Sequence, residues 1–338
     1  MSTARYILLV VALTLVLLAL AVACLLWGSV DIDAAAVWQI IAGNGSGNRA
    51  WDIIVLESRL PMIATAALAG AALSVAGLLL QTTFNNPLAG PSILGVSTGA
   101  GLGVAIVLLA LGGTIGSDMD TSLGGYIATL TGALLGAGAV LALLMFFSTL
   151  VKSSTMLLII GILVSYLASS VISLLNSVAT EEGLHSYVAW GFGSFQGVGN
   201  DHLALFAGII VTALVAAALM VKPLNALLLG TRYARNLGVN TDRARNLLLL
   251  ITGILTAVVT AFCGPIGFLG LVVPHIARLM LNTGNHNRLL PVTIITGAAI
   301  ALLCSLLSAL SPYGIIPINA ITPIIGVPII IYVLLARK

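Results

Sequence analysis

"HLALFAGIIVTALVAAALMV", residues 202–221, runs directly into "KPLNALLLGTRYARNLGVNTDRARN", residues 222–246. The first stretch holds no Asp, Glu, Lys or Arg over 20 residues, the length a helix needs to cross the hydrocarbon of a bilayer. The second holds Lys222, Arg232, Arg235, Arg243 and Arg245, five of the 13 Lys and Arg residues in the chain. An apolar span closed by a knot of cations is the pattern of a membrane helix with its cytoplasmic loop. That reading extends to the whole chain. Of its 338 residues 60% are hydrophobic and 7% charged, and the mean hydropathy is +1.18. Soluble domains run near 45–50% apolar and about 25% charged. The fold class is therefore all-α, a polytopic membrane protein in a single transmembrane domain over residues 1–338. A β-barrel would show short alternating segments.

Ten spans are predicted, at 6–28, 60–82, 92–111, 124–150, 156–178, 202–221, 246–264, 267–282, 289–310 and 318–336. Residues 264–270, with Gly264, Pro265, Gly267 and Gly270, read either as a tight turn between two helices or as a re-entrant piece. An even number of spans puts both termini on one side. That side collects Arg5, Lys152, Lys222, Arg232, Arg235, Arg243, Arg245, Arg278, Arg288, Arg337 and Lys338, leaving Arg49 and Arg59 on the other. The termini are therefore expected in the cytoplasm. Asp31, Asp33, Asp52, Glu57, Asp118, Asp120, Glu181, Glu182 and Asp201 fall outside, with Asp242 alone inside. An N-terminal signal peptide is not favoured, because the apolar run at 6–28 is too long.

The spans carry almost no ionisable groups, which argues against proton or sodium coupling through midplane carboxylates. "GVSTGAGLGVA", 95–105, and "GALLGAGAV", 132–140, place Gly and Ala for close helix packing in lipid. Cys24, Cys263 and Cys304 lie apart in apolar segments and read as packing residues. His275 reads as bonded to a nearby carbonyl, and His185 with His202 lacks a third ligand for a metal. Within 222–246, Leu224, Leu227, Leu228, Leu229, Tyr233 and Leu237 alternate with the cations. Two short surface helices are expected there, with Asn240 or Thr241 capping the next span. A mixed apolar and cationic surface of this kind suits docking to a soluble partner. Asn85, Asn86 and Pro87, followed by Pro91, break the chain between spans two and three. Such a junction can line a pore or gate, or simply cap two helix ends. Trp190, Phe192 and Phe195 mark 177–202 as an interfacial segment.

"GLLLQTTFNNPLAGPSILGVSTGA" (77–100), "LLLGTRYARNLGVN" (227–240) and "GPIGFLGLVVPHIARL" (264–279) with "NHNRLLP" (285–291) closely resemble signature segments of FecCD-type permeases. These are the iron–siderophore, haem and cobalamin importers of the type II ABC class. The resemblance runs from about residue 5 to 338. It implies a homodimer around a central pathway, two separate ATPase subunits and an extracytoplasmic binding protein, with no nucleic-acid partner. It also implies that Arg232, Tyr233, Ala234, Arg235, Asn236, Leu237 and Gly238 contact the ATPase. Asn86 and Leu88, with Ser154 and Thr155, would form the cytoplasmic gate. Arg59 in "SRLP", with Arg49, would dock the binding protein. The second rim arginine common in the family is replaced here by Met62, and "LLSALSPYG" at the end of span nine also lacks a cation. The chain contains no G-x-x-x-x-G-K-[ST] loop, so ATP and Mg would sit on the partner ATPase and no cofactor on this chain. The expected cargo is a metal chelate, a ferric siderophore ahead of haem or cobalamin. The competing expectations are a secondary transporter or channel independent of ATP, and an intramembrane enzyme. The latter would need a convergent nucleophile and base that the spans do not offer.

Overall fold

In the computed structural model, residues 2–111, 123–151, 153–310 and 316–336 are described. Lys152, Arg337 and Lys338 from the cation count, Asp118 and Asp120 from the acid count, and 311–315 after span nine lie outside them. Among the described residues every regular element is helical. Each predicted span contains one long or medium helix. These are α1 (Thr3–Leu26), α4 (Leu60–Thr83), α5 (Val96–Ala105), α6 (Leu123–Leu150), α7 (Ser154–Val178), α9 (Asn200–Leu219), α12 (Thr241–Cys263), α13 (Leu269–Leu281), α14 (His286–Ala309) and α15 (Ile318–Ala336). Between them lie the short α2 (Ala34–Ile41), α3 (Arg49–Ile53), α8 (Glu181–Gly191), α10 (Val221–Leu227) and α11 (Thr231–Asn236). Among the described residues seven helical segments are long and apolar enough to cross a membrane, while those at 96–110, 269–281 and 318–332 are shorter. The protein is an all-α, polytopic membrane protein.

The second span begins earlier than hydropathy indicates. α3 passes through a π-helical turn at Ile54–Arg59 straight into α4, giving a 35-residue helix over 49–83. The segment "WDIIVLESR" is amphipathic and mixed in charge, so a hydropathy window ends before it. α4 is the centre of the fold. It packs against α14, α12, α13 and α9, and 18 of its residues are buried, from Pro61 to Thr82.

Backbone contact at glycine builds this packing. A Cβ placed on Gly70 would lie 2.3 Å from the Gly297 carbonyl oxygen, and one on Gly77 would lie 1.7 Å from that of Gly270. The expected close approach of "GVSTGAGLGVA" and "GALLGAGAV" is present too. α5 crosses α6 with Gly103 against Gly132 and Gly99 against Gly136. Without a hydrophobic force between helices in lipid, such short contacts supply the dispersion energy that holds them together.

Residues 264–268 separate two helices by a non-helical break, with Gly264 at φ +75° and Phe268 at φ +65°. α13 has 13 residues and rises only about 20 Å, too short for the ~30 Å hydrocarbon core. The non-helical backbone before it must be satisfied internally. Asn319, near the start of α15, does this. Its Nδ2 donates to the carbonyls of Gly191, at 2.9 Å, and Pro265, and its Oδ1 accepts from Gly267 N–H at 3.2 Å.

Side-chain contacts sort the helix ends into two sets. One set joins the C-terminal ends of α4, α6 and α13 with the N-terminal ends of α1, α12 and α14 and with α10. Its contacts are Gln81 with Arg278, Arg245 with the Ser148 carbonyl, Asn225 with Asn285, and Arg288 over the Tyr6 ring. The other joins Arg59 with the C-terminus of α1, Asn200 with Leu56, and Tyr126 with Gly197. Among the described residues, the exposed cations of the long basic loop belong to the first set and most carboxylates to the second.

Candidate functional site

Three features stand out: a basic loop, the turn before α5, and a cavity between α5, α7, α8 and the non-helical break.

The loop folds as the two short helices expected, α10 and α11. α11 ends in a Schellman motif. Gly238, at φ +81°, donates to the Arg235 carbonyl and Val239 N–H to that of Ala234. Asn240 then caps α12, its side chain accepting from Arg243 N–H at 3.0 Å. Arg235 turns back over this junction, with Nε donating to Thr241 Oγ1 at 2.9 Å and Nη2 lying 3.7 Å from Asp242. Ala234 is buried and anchors the loop, leaving Tyr233 67% and Leu237 64% exposed beside Leu228 and Leu229. Large apolar side chains facing outward from a cation-rich loop are of the kind that suits a soluble partner. Arg232, Asn236 and Gly238 are exposed on the same loop.

The turn before α5 is built by local chemistry. Asn85 takes a left-handed conformation, φ +46°. Asn86 Oδ1 accepts from Leu88 N–H at 2.9 Å, and Pro91–Leu94 makes one 3-10 turn closed by Gly95 at φ +78°. His275 bonds the Pro87 carbonyl through Nε2 at 2.8 Å, as its lone position on an apolar helix suggested. Leu88 and Thr155 are exposed. The structure brings this turn against α7 at Gly161 and Ser165, about two helical turns beyond the Ser154–Thr155 end.

The cavity measures about 520 Å³, within the range of ligand sites. Ser97, Thr98, Ser169, Ser173, Tyr187, Trp190 and Asn319 line it together with Pro265–Gly267, and among the described residues no charged side chain does. Ser97 and Thr260 share a hydrogen bond at 3.1 Å. Burial raises the Tyr187 phenol above its usual value, so it remains an O–H donor. Its ring stacks near that of Trp190, centroids 6.3 Å apart. Reading the sequence alone missed this site. The signal was the spacing Ser165, Ser169, Ser173 with Ser170 and Ser177, one face of α7. Several of these hydroxyls donate back to the helix, Ser165 to the Gly161 carbonyl and Ser173 to that of Ser169. That lets serine sit in a span while keeping its oxygen lone pairs free for the cavity.

The outer positions divide. Arg49 is exposed at the start of α3. Arg59 is 5% exposed. Its Nη1 donates to the carbonyls of Leu25, at 2.6 Å, and Leu26, at 3.0 Å, and its Nη2 to that of Val30. A guanidinium fixed on the carboxyl end of α1 neutralises orphan carbonyls there. Arg59→Ala is expected to cost about 2 kcal/mol of stability from the lost charged hydrogen bonds, read as a lower Tm in detergent. An unchanged Tm would return Arg59 to the docking rim.

Cys24, Cys263 and Cys304 are free and buried. His202 packs between Tyr126 and Phe262.

The FecCD transport family model matches residues 14–336. The chain is 35% identical to the vitamin B12 import system permease protein BtuC of Salmonella paratyphi A, over 94% of each chain. It is 33% identical to the molybdate import system permease protein MolB of Haemophilus influenzae, over 94% of this chain and 92% of that one. In three dimensions it is similar to a metal-chelate type ABC transporter solved in an inward-facing conformation. The TM-score is 0.84 at 31% identity, over 97% of this chain and 99% of that one.

Proposed function

We infer the function from one premise: this chain belongs to the FecCD transport family. It is a multi-pass membrane permease of the ABC-transporter type, a class in which a separate chain carries the ATPase. Beyond that, we propose that two copies enclose a passage in the bacterial cytoplasmic membrane, with both termini in the cytoplasm. Two ATPase subunits bind at the α10–α11 loop, and an extracytoplasmic binding protein delivers the cargo from the other side. The observation that carries this reading is the outward display of Tyr233 and Leu237 on the most cation-rich loop of the chain. ATP binding draws the ATPase pair together, the loop moves with it, and the passage alternates between faces. Alternation needs only that the nucleotide states differ in affinity for the two conformers. The permease therefore makes and breaks no covalent bond.

The cavity supports a metal chelate as cargo, a ferric siderophore ahead of haem or cobalamin. Among the described residues its walls offer hydroxyls, an amide and two aromatic rings, with no carboxylate, imidazole or thiolate. Such walls suit a metal already enclosed by its own ligands, whereas a bare cation calls for charged or lone-pair donors. Asn86 and Leu88, with Ser154 and Thr155, form the cytoplasmic gate. Delivery depends on shape and on Arg49 more than on Arg59.

The test is co-expression with the neighbouring ATPase gene, purification in mild detergent, and uptake of iron-55-labelled siderophore, haem, cobalamin and molybdate into proteoliposomes. The expected result is a complex of two chains with two ATPases whose Mg-ATP hydrolysis needs both components. Uptake of one chelate is lost in Ser169→Leu with Ser173→Leu while hydrolysis continues. A chain that elutes alone, or uptake that collapses with an ionophore and ignores ATP, would replace this reading with a secondary transporter.

A further inference from the structure

His286 opens α14 and is fully buried, 0% exposed. Both ring nitrogens are engaged, and each partner lies on a different element. Nδ1 lies 3.0 Å from Asn225 Oδ1 on α10, and Nε2 lies 2.9 Å from Thr82 Oγ1 in the last turn of α4. The grip of α10 on α14 is doubled, because the same Asn225 oxygen accepts the His286 backbone N–H at 2.8 Å. Asn225 Nδ2 then donates to the α14 cap residue, Asn285, at 3.2 Å. α10 thus supplies a foreign acceptor for an orphan N–H at the start of another helix. Thr82 is four residues before Asn86 in sequence, and Thr82 O accepts from Asn85 N–H at 3.2 Å. A continuous polar chain therefore runs from the ATPase-facing loop through one imidazole to the end of the gate helix.

The chain is a better conductor of displacement than the apolar packing around it. Buried hydrogen bonds lose energy steeply when stretched, and leaving one partner unsatisfied costs the full desolvation of that group. Apolar contacts in the same region can slide past one another at smaller cost. α14 is also fixed to α4 at Gly70 and Gly297, so a pull on its first residue is not dissipated along its length.

We propose that His286 is the joint through which movement of the α10–α11 loop reaches the inner gate, with Asn225 as its input and Thr82 as its output. This rests on the proposed ATPase docking at that loop. His286 and Thr82 are positioning residues, since neither touches nucleotide or cargo.

Gate movement can be read without knowing the cargo. Leu88→Cys places a thiol on the exposed gate turn, while the three native cysteines are buried. In the purified complex, its rate of reaction with a water-soluble maleimide is compared with and without Mg-ATP and vanadate. The rate is expected to change at least about fivefold, a typical coupling between linked sites. Adding Thr82→Val, which keeps the volume and removes the hydroxyl, brings the ratio to about one while Mg-ATP hydrolysis persists. Thr82→Ser keeps the hydroxyl and restores the ratio, and Asn225→Ala loses it. A purely packing role predicts the reverse order, with Val tolerated better than Ser. A nucleotide response that survives Thr82→Val overturns the joint and leaves the ATPase reading intact. Absence of any response in the parent Leu88→Cys complex, or of a co-purifying ATPase, overturns both.

Discussion

In Gly77→Ala the yield of monodisperse protein from mild detergent falls to a small fraction of the wild-type yield. The added methyl would stand 1.7 Å from the Gly270 carbonyl oxygen and 2.4 Å from its carbon, where ordinary contact needs about 3.5 Å. Overpacking usually costs about 1–3 kcal/mol, because side chains swing aside. Here the opposing atoms are backbone, and they have nowhere to go. Gly270 is itself held, since a Cβ there would meet Pro91 at 2.5 Å and the Leu73 carbonyl at 2.7 Å. α4 and α13 would have to separate, taking the turn before α5 with them. The control is Gly138→Ala on α6, where nothing lies within 4 Å. Alanine there gains up to about 1 kcal/mol of helix propensity, and yield and Tm should hold or rise. Fluorescence-detected size exclusion with a thermal ramp reads both. Equal behaviour of the two variants would mean that α4 and α13 do not cross at Gly77.

Tyr233→Ala combined with Leu237→Ala separates the ATPase from an otherwise intact permease. Both side chains are about two-thirds exposed, and both stand on a loop made rigid by the Gly238 turn, the Asn240 cap and buried Ala234. Preformed apolar anchors of this kind dominate interfaces, each worth about 2 kcal/mol or more. Losing two is a fall in affinity of roughly three orders of magnitude. Size exclusion should show a monodisperse permease without ATPase, and Mg-ATP-driven uptake should be lost with it. Arg235→Ala should do less. Its exposed pairing with Asp242 at 3.7 Å is the kind worth well under about 1 kcal/mol. A double variant that still holds its ATPase at wild-type salt tolerance would remove this face from the contact.

Hydropathy made the helices legible. Each expected span contains a helix, because apolar length is a property of one segment at a time. The two short helices after 221 and the Asn240 cap were legible for the same reason, since turn and cap chemistry is local. What was not legible depends on partners distant in sequence. The eleven residues before span two join its helix because α2 and the C-terminus of α1 pack beside them. Arg59 looks like a surface cation until Leu25, Leu26 and Val30 surround it. The serines of α7 carry no motif in the sequence, and only the placement of Ser169 and Ser173 beside Tyr187, Trp190 and Asn319 makes them the wall of a cavity. The Asn225–His286–Thr82 chain spans 61 and 204 residues of sequence, and although Thr82 and His286 each lie in a signature segment, nothing in either segment announces the pairing.

The non-helical break before α13 also has a consequence for the order in which the molecule is assembled. Its amide and carbonyl groups cannot be left bare in hydrocarbon, where each would cost several kcal/mol. The side chain that satisfies them, Asn319, is 52 residues downstream of Gly267 and 54 downstream of Pro265. While the chain is being synthesised, α12 and α13 are made well before that asparagine exists. Until α15 inserts, the segment must keep water or some other temporary donor beside it. The break is therefore completed only once α15 is in place, and a chain truncated before Asn319 would carry nearly all of the described helices with that break still unsatisfied.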